Sequence, residues 1–193
     1  IKPRERFLQP DELPNFFEAL EQSPQRDFFL MALMTGARQR NICTMRWQDV
    51  NLKERVWLIP KTKNGESQRV PLVPEAVRML ESRKRESLVH AIWVFPGRRS
   101  TVTGEVGPLV DPRKAWAALC EVAGFDEPLR IHDLRRTMGS WQARQGVSLP
   151  IIGKSLGHKS MQATAIYSRL DLDPVRTSMG EATAEILKHR RSK

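Results

Sequence analysis

The sequence predicts a mainly helical domain with a small antiparallel β-sheet on one side, which is an α+β fold. Apolar residues recur at helical spacing through most of the chain, between breaks made by Gly and Pro. Residues 55–73 instead show two strand-like runs around an Asn-Gly turn. With 193 residues, 40% apolar and 28% charged, the chain has the composition of a globular protein with a real core.

The N-terminal part is predicted to form three helices. Asp11 is expected to cap the first helix, which places Pro14 in the first turn, where its missing N–H does no harm. Pro24 separates this helix from a second one, whose apolar run 28–34 predicts burial on all sides. A third helix is expected to end near Trp47.

A β section follows the three helices. Residues 55–59 and 68–73 are predicted to pair as strands, and the basic turn 61–65 between them contains the Asn-Gly hairpin signal. Pro71 indicates that the second strand lies at an edge, because proline cannot donate a ladder hydrogen bond. Residues 93–95 are predicted to add a third short strand.

The rest of the chain is predicted to be helical apart from one loop. Residues 96–110 are expected to be a mobile basic loop because Gly and Pro interrupt them repeatedly. Asp111-Pro112 is expected to start a helix by N-cap and N1 chemistry, and Gly146 and Gly157 are expected to end two others. The expected helices cover residues 74–89, 111–124, 133–145, 149–156, 161–168 and 174–189.

Composition also limits the partners. The net charge of +10 indicates a polyanion, and nucleic acid is favoured over a membrane because the sequence shows no lipid-anchor motif and no separate basic amphipathic helix. Cys43 and Cys120 are expected to be buried thiols of a reducing compartment rather than a disulfide or metal pair. The sequence also shows no signal peptide and no run near the ~18 apolar residues of a spanning helix.

An ordered set of polar side chains predicts chemistry on a phosphodiester. Guanidinium groups can clamp phosphate oxygens, a phenol can attack phosphorus, and lysine or histidine can move protons. Such a set needs neither a metal nor a cofactor. The candidate catalytic residues are Arg38, Lys63, His132, Arg135, His158 and Tyr167, which is the only tyrosine of the chain.

Each of these residues taken alone has an ordinary structural interpretation. A lysine at a hairpin tip, such as Lys63, is usually solvated, and a tyrosine at helical spacing from apolar residues usually belongs to a core. The order and spacing taken jointly favour function: Arg135 follows His132 by three positions, His158 follows Arg135 by 23, and Tyr167 follows His158 by nine.

These stretches resemble the catalytic domain of tyrosine recombinases of the phage-integrase family. The resemblance rests on residues 35–50 for the family's first arginine box, on 61–65 with 70–72 for its β-hairpin lysine motif, and on 132–137, 156–160 and Tyr167 for its second box. It covers nearly the whole chain. One position departs from the family, since Asn41 stands where an acidic residue is common. Asn41 can orient a neighbour but cannot supply a carboxylate.

The resemblance implies a domain organisation and a function. Residues 1–10 are expected to be a linker from a missing N-terminal DNA-binding domain, and residues 11–193 the catalytic domain. The implied function is site-specific recombination through a 3′-phosphotyrosyl intermediate, for integration or excision of a mobile element. The implied partners are specific double-stranded DNA sites and accessory DNA-bending or excision proteins. The chain is expected to be a monomer when free and to form a homotetramer on DNA. The implied location is the bacterial cytoplasm, at the nucleoid.

Two alternatives remain at this point. A type IB topoisomerase would use the same chemistry to relax supercoils, and a relative that has lost catalysis would only bind DNA. The complete set of six residues argues against the second alternative, and the family boxes argue against the first.

Overall fold

The computed structural model describes residues 5–60, 67–87, 91–158, 160–169 and 173–188. The chain divides into two compact units, Ile1–Met138 and Gly139–Lys193. Helices of the first unit are α1 (Leu13–Glu21), α2 (Arg26–Thr35), α3 (Gln39–Cys43), α4 (Pro74–Glu86) and α5 (Arg113–Ala123). Its strands are β1 (Val50–Asn51), β2 (Val56–Ile59), β3 (Gln68–Pro71), β4 (Pro96–Arg99) and β5 (Val106–Pro108).

The division between the units falls within α6 (Ile131–Arg144). Three helices follow, α7 (Leu149–Leu156), α8 (Met161–Thr164) and α9 (Asp173–Lys188), with a 3₁₀ turn at Ala165–Arg169. These elements confirm the predicted fold class, mainly helical with antiparallel sheets.

Aromatic side chains form the centre of the first unit's core. The ring of Trp116 packs on Phe29 with centroids 5.0 Å apart and on Phe16 at 6.4 Å. The indole N–H of Trp116 donates to the carbonyl of Leu129 at 2.9 Å, which satisfies its one polar atom. Each such buried side chain contributes about 1.5–3 kcal/mol to folding. Leu8 is also fully buried here, so the segment expected to be a linker contributes to the core.

The N-caps of two helices differ from the prediction by one residue. Glu12, and not Asp11, is the N-cap of α1, and its carboxylate accepts the N–H of Gln9, which precedes the helix, at 2.8 Å. At α5 the N-cap is Pro112, although the Asp111 carboxylate accepts the N–H of Arg113 at 2.9 Å as a cap would. In both cases a carboxylate beside the helix start accepts a nearby backbone N–H.

The C-terminal ends of α3 and α4 were also predicted at other residues. The structure ends α3 at Cys43, well before Trp47. Helix α4 begins at Pro74 as predicted and continues to Glu86, whereas the predicted end at Val89 lies outside the described residues.

The predicted hairpin is confirmed by the pairing of β2 with β3. The two strands are antiparallel, and Trp57 lies opposite Val70. Strand β3 forms an edge of the three-stranded sheet in the described part of the chain, as Pro71 predicted. Strand β1 completes the sheet on the other side of β2 and was not predicted, since only two residues form it.

The prediction that residues 96–110 form only a loop was wrong. Strands β4 and β5 pair there as a second, antiparallel sheet. A Cβ at Gly97 would lie 2.4 Å from the carbonyl oxygen of Pro108, so the glycine permits a close backbone approach that a larger residue would block. The predicted strand at 93–95 was also wrong, because Trp93 forms only an isolated bridge with Arg46.

Glycines follow the ends of α6 and α7 as predicted. Gly146 and Gly157 adopt left-handed backbone angles, with φ of 73° and 64°. After α7, the N–H of His158 donates to the carbonyl of Gly153 at 2.8 Å, and the N–H of Gly157 donates to Lys154 at 3.1 Å. This pair of bonds is a Schellman motif. It fixes the direction in which the chain leaves α7 and therefore where His158 lies.

The two cysteines are free thiols, Cys43 buried and Cys120 only partly buried. Burial raises the pKa of each thiol to about 11, so both are protonated at neutral pH and poor nucleophiles. Among the described residues, no helix combines the length and apolar character that crossing a bilayer requires.

Candidate active site

Arg38 follows a tightly bonded turn at the end of α2. Gly36 adopts φ of 59°, and its N–H donates to the carbonyl of Ala32 at 3.0 Å. The hydroxyl of Thr35 accepts the N–H of Ala37 at 3.2 Å. These bonds hold the backbone up to Arg38, which is the half-buried N-cap residue of α3.

Arg135 connects α6 to this turn. Its side chain is buried, with 5% of the residue exposed, and its Nη1 donates to the carbonyl oxygen of Gly36 at 2.6 Å. This hydrogen bond uses one nitrogen of the Arg135 guanidinium group and holds the group against the backbone just before Arg38. The hydrogen bond places both predicted arginines of the first unit in one region, across 99 residues of sequence.

The first turn of α6 is held by a buried carboxylate that the sequence interpretation missed. Asp133 is fully buried, accepts the N–H of Arg130 at 2.9 Å and pairs with Arg136 at 2.5 Å. The Thr137 hydroxyl donates to the Asp133 carbonyl at 2.8 Å and accepts the N–H of Leu8 at 3.0 Å. Asp133 is the third residue of α6, a position where an acidic side chain commonly caps the helix start. This position in the sequence could have predicted its role.

His132 lies at the surface of the first unit. Partial desolvation of its ring lowers its pKa, and the positive charges of Arg135, Arg136 and Arg38 lower it further, while Asp133 acts in the opposite direction. Because the ordinary pKa of histidine is already near 6.5, His132 is mainly neutral at pH 7. A neutral imidazole can accept a proton.

The second unit brings His158 and Tyr167 together. Their rings are parallel within 5°, with centroids 6.3 Å apart. Tyr167 lies on the 3₁₀ turn after α8 and is 3% exposed, whereas a continuous helix over 161–168 was predicted. Nδ1 of His158 lies 2.9 Å from the hydroxyl of Thr164, so three residues within ten positions form one contact group.

Two glycines make room for this group. A Cβ at Gly139 would lie 2.5 Å from Cζ of Tyr167, and a Cβ at Gly153 would lie 2.9 Å from Oγ1 of Thr164. Any larger residue at either position would therefore displace the side chain beside it. The sequence interpretation missed Gly139, Gly153 and Thr164, because a glycine inside a helix gives no local signal of a distant close approach.

The five predicted site residues that the structure describes are thus distributed over both units. Arg38, His132 and Arg135 lie together in the first unit, as the hydrogen bond and the shared electrostatic effect indicate. The second unit contains His158 and Tyr167, while Lys63 lies outside the described residues.

Asn41, the position that departs from the family, lies near Arg38 in sequence and in space. Its N–H donates to the carbonyl of Arg38 at 2.8 Å. It also lines a cavity of about 440 Å³ together with Arg46 and Trp93, whose side chains make a cation–π contact at 4.9 Å.

The fold is that of tyrosine recombinase catalytic domains. The crystal structure of the XerA recombinase matches with a TM-score of 0.70, 22% identity and coverage of 99% of this chain and 68% of that chain. The catalytic domain of bacteriophage HP1 integrase matches with a TM-score of 0.67, 18% identity and coverage of 90% and 93%. The Tn1549 transposon integrase, in complex with circular intermediate DNA, matches with a TM-score of 0.73, 18% identity and coverage of 94% and 68%.

Sequence comparison gives the family. The model of the phage integrase family matches residues 6–173, and the chain belongs to that family. It is 31% identical over 176 residues to the integrase of Salmonella phage P22, covering 86% of this chain and 44% of that protein. It is 22% identical over 169 residues to the tyrosine recombinase XerA of Pyrococcus furiosus, covering 86% and 57%. The chain therefore spans about half the length of these curated relatives.

Proposed function

We propose that this chain is the catalytic part of a site-specific recombinase or integrase that cleaves and rejoins DNA for a mobile element, in the bacterial cytoplasm at the nucleoid. The observation that carries the proposal is the contact of the chain's only tyrosine, Tyr167, with His158. Family membership and the net charge of +10 support it. The family match favours recombination over the topoisomerase alternative.

The proposed chemistry begins with attack of the Tyr167 phenol oxygen on a DNA phosphorus atom. A bond forms between this oxygen and phosphorus, and the bond from phosphorus to the 5′-oxygen breaks. The phenol proton passes to His132, and Lys63 protonates the departing 5′-oxygen. Because the phosphotyrosyl bond conserves the energy of the broken diester, a 5′-hydroxyl can reverse the step without ATP.

Positive charge supports this reaction in two ways. A free phenol has a pKa near 10, and guanidinium groups bound to the same phosphate would favour the phenolate. The same groups, Arg38 and Arg135, stabilise the charge that builds on the non-bridging oxygens, and His158 donates a further hydrogen bond to one of them.

Covalent capture from a random library tests the proposed function. The chain is incubated with short duplexes of random sequence, nicked near the middle so that a cleaved strand loses its short end and cannot rejoin. Denatured protein–DNA adducts are then isolated, sequenced and mapped to the attached residue. A recombinase is expected to enrich one sequence on Tyr167. A relative without catalysis would give no adduct, and a topoisomerase would give adducts of many sequences and relax plasmid DNA.

Lys63→Ala is expected to slow cleavage of the selected duplex by about 10²-fold, the usual contribution of a general acid. Sulfur in place of the 5′-bridging oxygen leaves without protonation, so this substrate should restore the rate. Lys61→Ala, in the same basic segment of the sequence, serves as the control and should need no rescue. A Lys63→Ala variant that stays slow with sulfur would show that another group is the acid.

We also propose that α9 docks on a neighbouring copy in a DNA-bound homotetramer, and that accessory DNA-bending or excision proteins assist. The predicted apolar stripe at Val175, Met179, Ala182 and Ile186 is exposed; Val175 is 51%, Met179 65% and Ile186 70% exposed. An amphipathic helix with an exposed stripe favours burial against a partner. One helix buries less than a standard interface of about 1,600 Å², so the free chain is expected to be monomeric.

Deleting residues 174–193 is expected to reduce pairing of two DNA sites and recombination more than DNA binding, as measured by gel shift and strand-exchange assays. Met179→Lys should reproduce the defect, because it places a charge within the apolar stripe. Thr177→Lys adds the same charge on the opposite face and should leave pairing intact. Unfolding of the truncated chain, or equal defects in both lysine variants, would contradict docking.

A further inference from the structure

We propose that Thr164 is a positioning residue of the reaction, which acts through His158. Its hydroxyl would donate to Nδ1, hold the imidazole ring and keep the proton on Nε2. The inference rests on the proposed function, since it concerns how His158 reaches a DNA phosphate.

Burial makes the hydroxyl of Thr164 a fixed partner. Thr164 is 0% exposed, and its Oγ1 lies 2.9 Å from Nδ1 of His158. The absence of a side chain at Gly153 lets Oγ1 lie close to α7, because a Cβ there would be only 2.9 Å away. A buried hydroxyl in this position cannot exchange its partner for bulk water, so the bond is expected to persist.

The bond to Thr164 acts on a part of His158 that the backbone bond at the helix end does not hold. The Schellman motif after Gly157 fixes the backbone of His158 through its N–H, but it does not fix the rotation of the imidazole ring. Thr164 supplies that second constraint at Nδ1. It also lies three residues before Tyr167, at the end of α8. One hydrogen bond thus joins the histidine segment to the segment that carries the nucleophile.

The bond also selects the protonation pattern of the ring. When a hydroxyl donates to Nδ1, a neutral imidazole carries its proton on Nε2. His158 can then donate from Nε2 to a non-bridging phosphate oxygen without becoming charged. With the proton on Nδ1 instead, Nε2 of the neutral ring would be an acceptor and would repel the phosphate oxygen.

Two substitutions of Thr164 distinguish the effect of its hydroxyl from the effect of its packing. Thr164→Val keeps the shape and removes the hydroxyl, whereas Thr164→Ser keeps the hydroxyl. With the selected duplex at saturation, Thr164→Val should reduce the single-turnover cleavage rate about tenfold or more, since a misplaced catalytic group can cost up to 10²-fold. DNA affinity should be unchanged, and Thr164→Ser should cleave at close to the parent rate.

Ser140→Ala is the matched control for removing a buried hydroxyl. Ser140 lies in the same unit, is 1% exposed, and its hydroxyl has no hydrogen-bond partner among the described residues. This variant should cleave normally. A double variant should distinguish positioning from a general structural loss: Thr164→Val should add nothing in a His158→Gln background, because residues that act together are not additive.

Imidazole ¹⁵N resonances test the bond without DNA. The chain has four histidines, and the His158→Gln variant identifies the signals of His158. The parent chain should show a single neutral form protonated on Nε2, and Thr164→Val should show a mixture. Because it is made on the parent chain, this measurement still tests the bond from Thr164 to His158 if Thr164→Val fails to fold.

Several outcomes would overturn the inference. They are a mixed tautomer in the parent chain, normal cleavage by Thr164→Val, equally slow cleavage by Thr164→Ser, or a further loss in the double variant. A parent chain that forms no adduct with any duplex would defeat the proposed function and the inference with it. Normal parent cleavage together with normal Thr164→Val cleavage would defeat the inference alone.

Discussion

Tyr167→Phe is expected to abolish covalent attachment to DNA while DNA binding persists. The phenol oxygen is the proposed nucleophile, and the chain contains no other tyrosine to replace it. The phenylalanine ring keeps the apolar contacts of Tyr167 beside Gly139 and His158. The free energy of unfolding should therefore change by no more than about 1.5 kcal/mol, the usual contribution of one hydrogen bond.

The measurement is a denaturing gel of the chain with the selected duplex, beside a gel shift of the same mixture. The shifted complex should match that of the parent chain, and the covalent band should be absent. Thermal unfolding of the variant provides the control for folding. A covalent band that persists in Tyr167→Phe would show that another residue is the nucleophile.

Arg135→Ala is expected to have the second largest effect, on both chemistry and stability. Loss of one charged donor to a transition-state oxyanion costs about 10²–10³-fold in rate. The carbonyl of Gly36 also loses a buried hydrogen bond from Nη1 of Arg135, which should cost about 1–3 kcal/mol of unfolding free energy. Arg135→Lys restores the charge but not the planar fork, so it should recover little of the rate.

Arg136→Ala is the matched control on the same helix. Arg136 pairs with the buried Asp133, so its removal should lower thermal stability in the same way as the loss of Arg135. It has no proposed role at the phosphate, so at a pH where His132 is neutral in both proteins the folded variant should cleave at close to the parent rate. If Arg136→Ala and Arg135→Ala slow cleavage equally in folded protein, Arg135 has only a structural role.

Elements with strong local signals could be predicted from the sequence. The stops at Gly146 and Gly157 follow from left-handed backbone angles that glycine adopts without strain. The hairpin of β2 and β3 follows from the alternation around a turn. The hairpin of β4 and β5 could not be recognised, because its pairing depends on a backbone approach at Gly97 that composition does not encode.

The sequence by itself determined the family, the fold class and the candidate catalytic residues, because the spacing of unlike polar residues along a chain carries that information directly. Only the tertiary structure decided which neighbouring atoms position these catalytic residues. The bond from Arg135 to Gly36 crosses 99 residues, and the fit of Tyr167 beside Gly139 requires two segments to pack together. Such contacts arise from close packing of segments distant in sequence, so no local pattern predicts them.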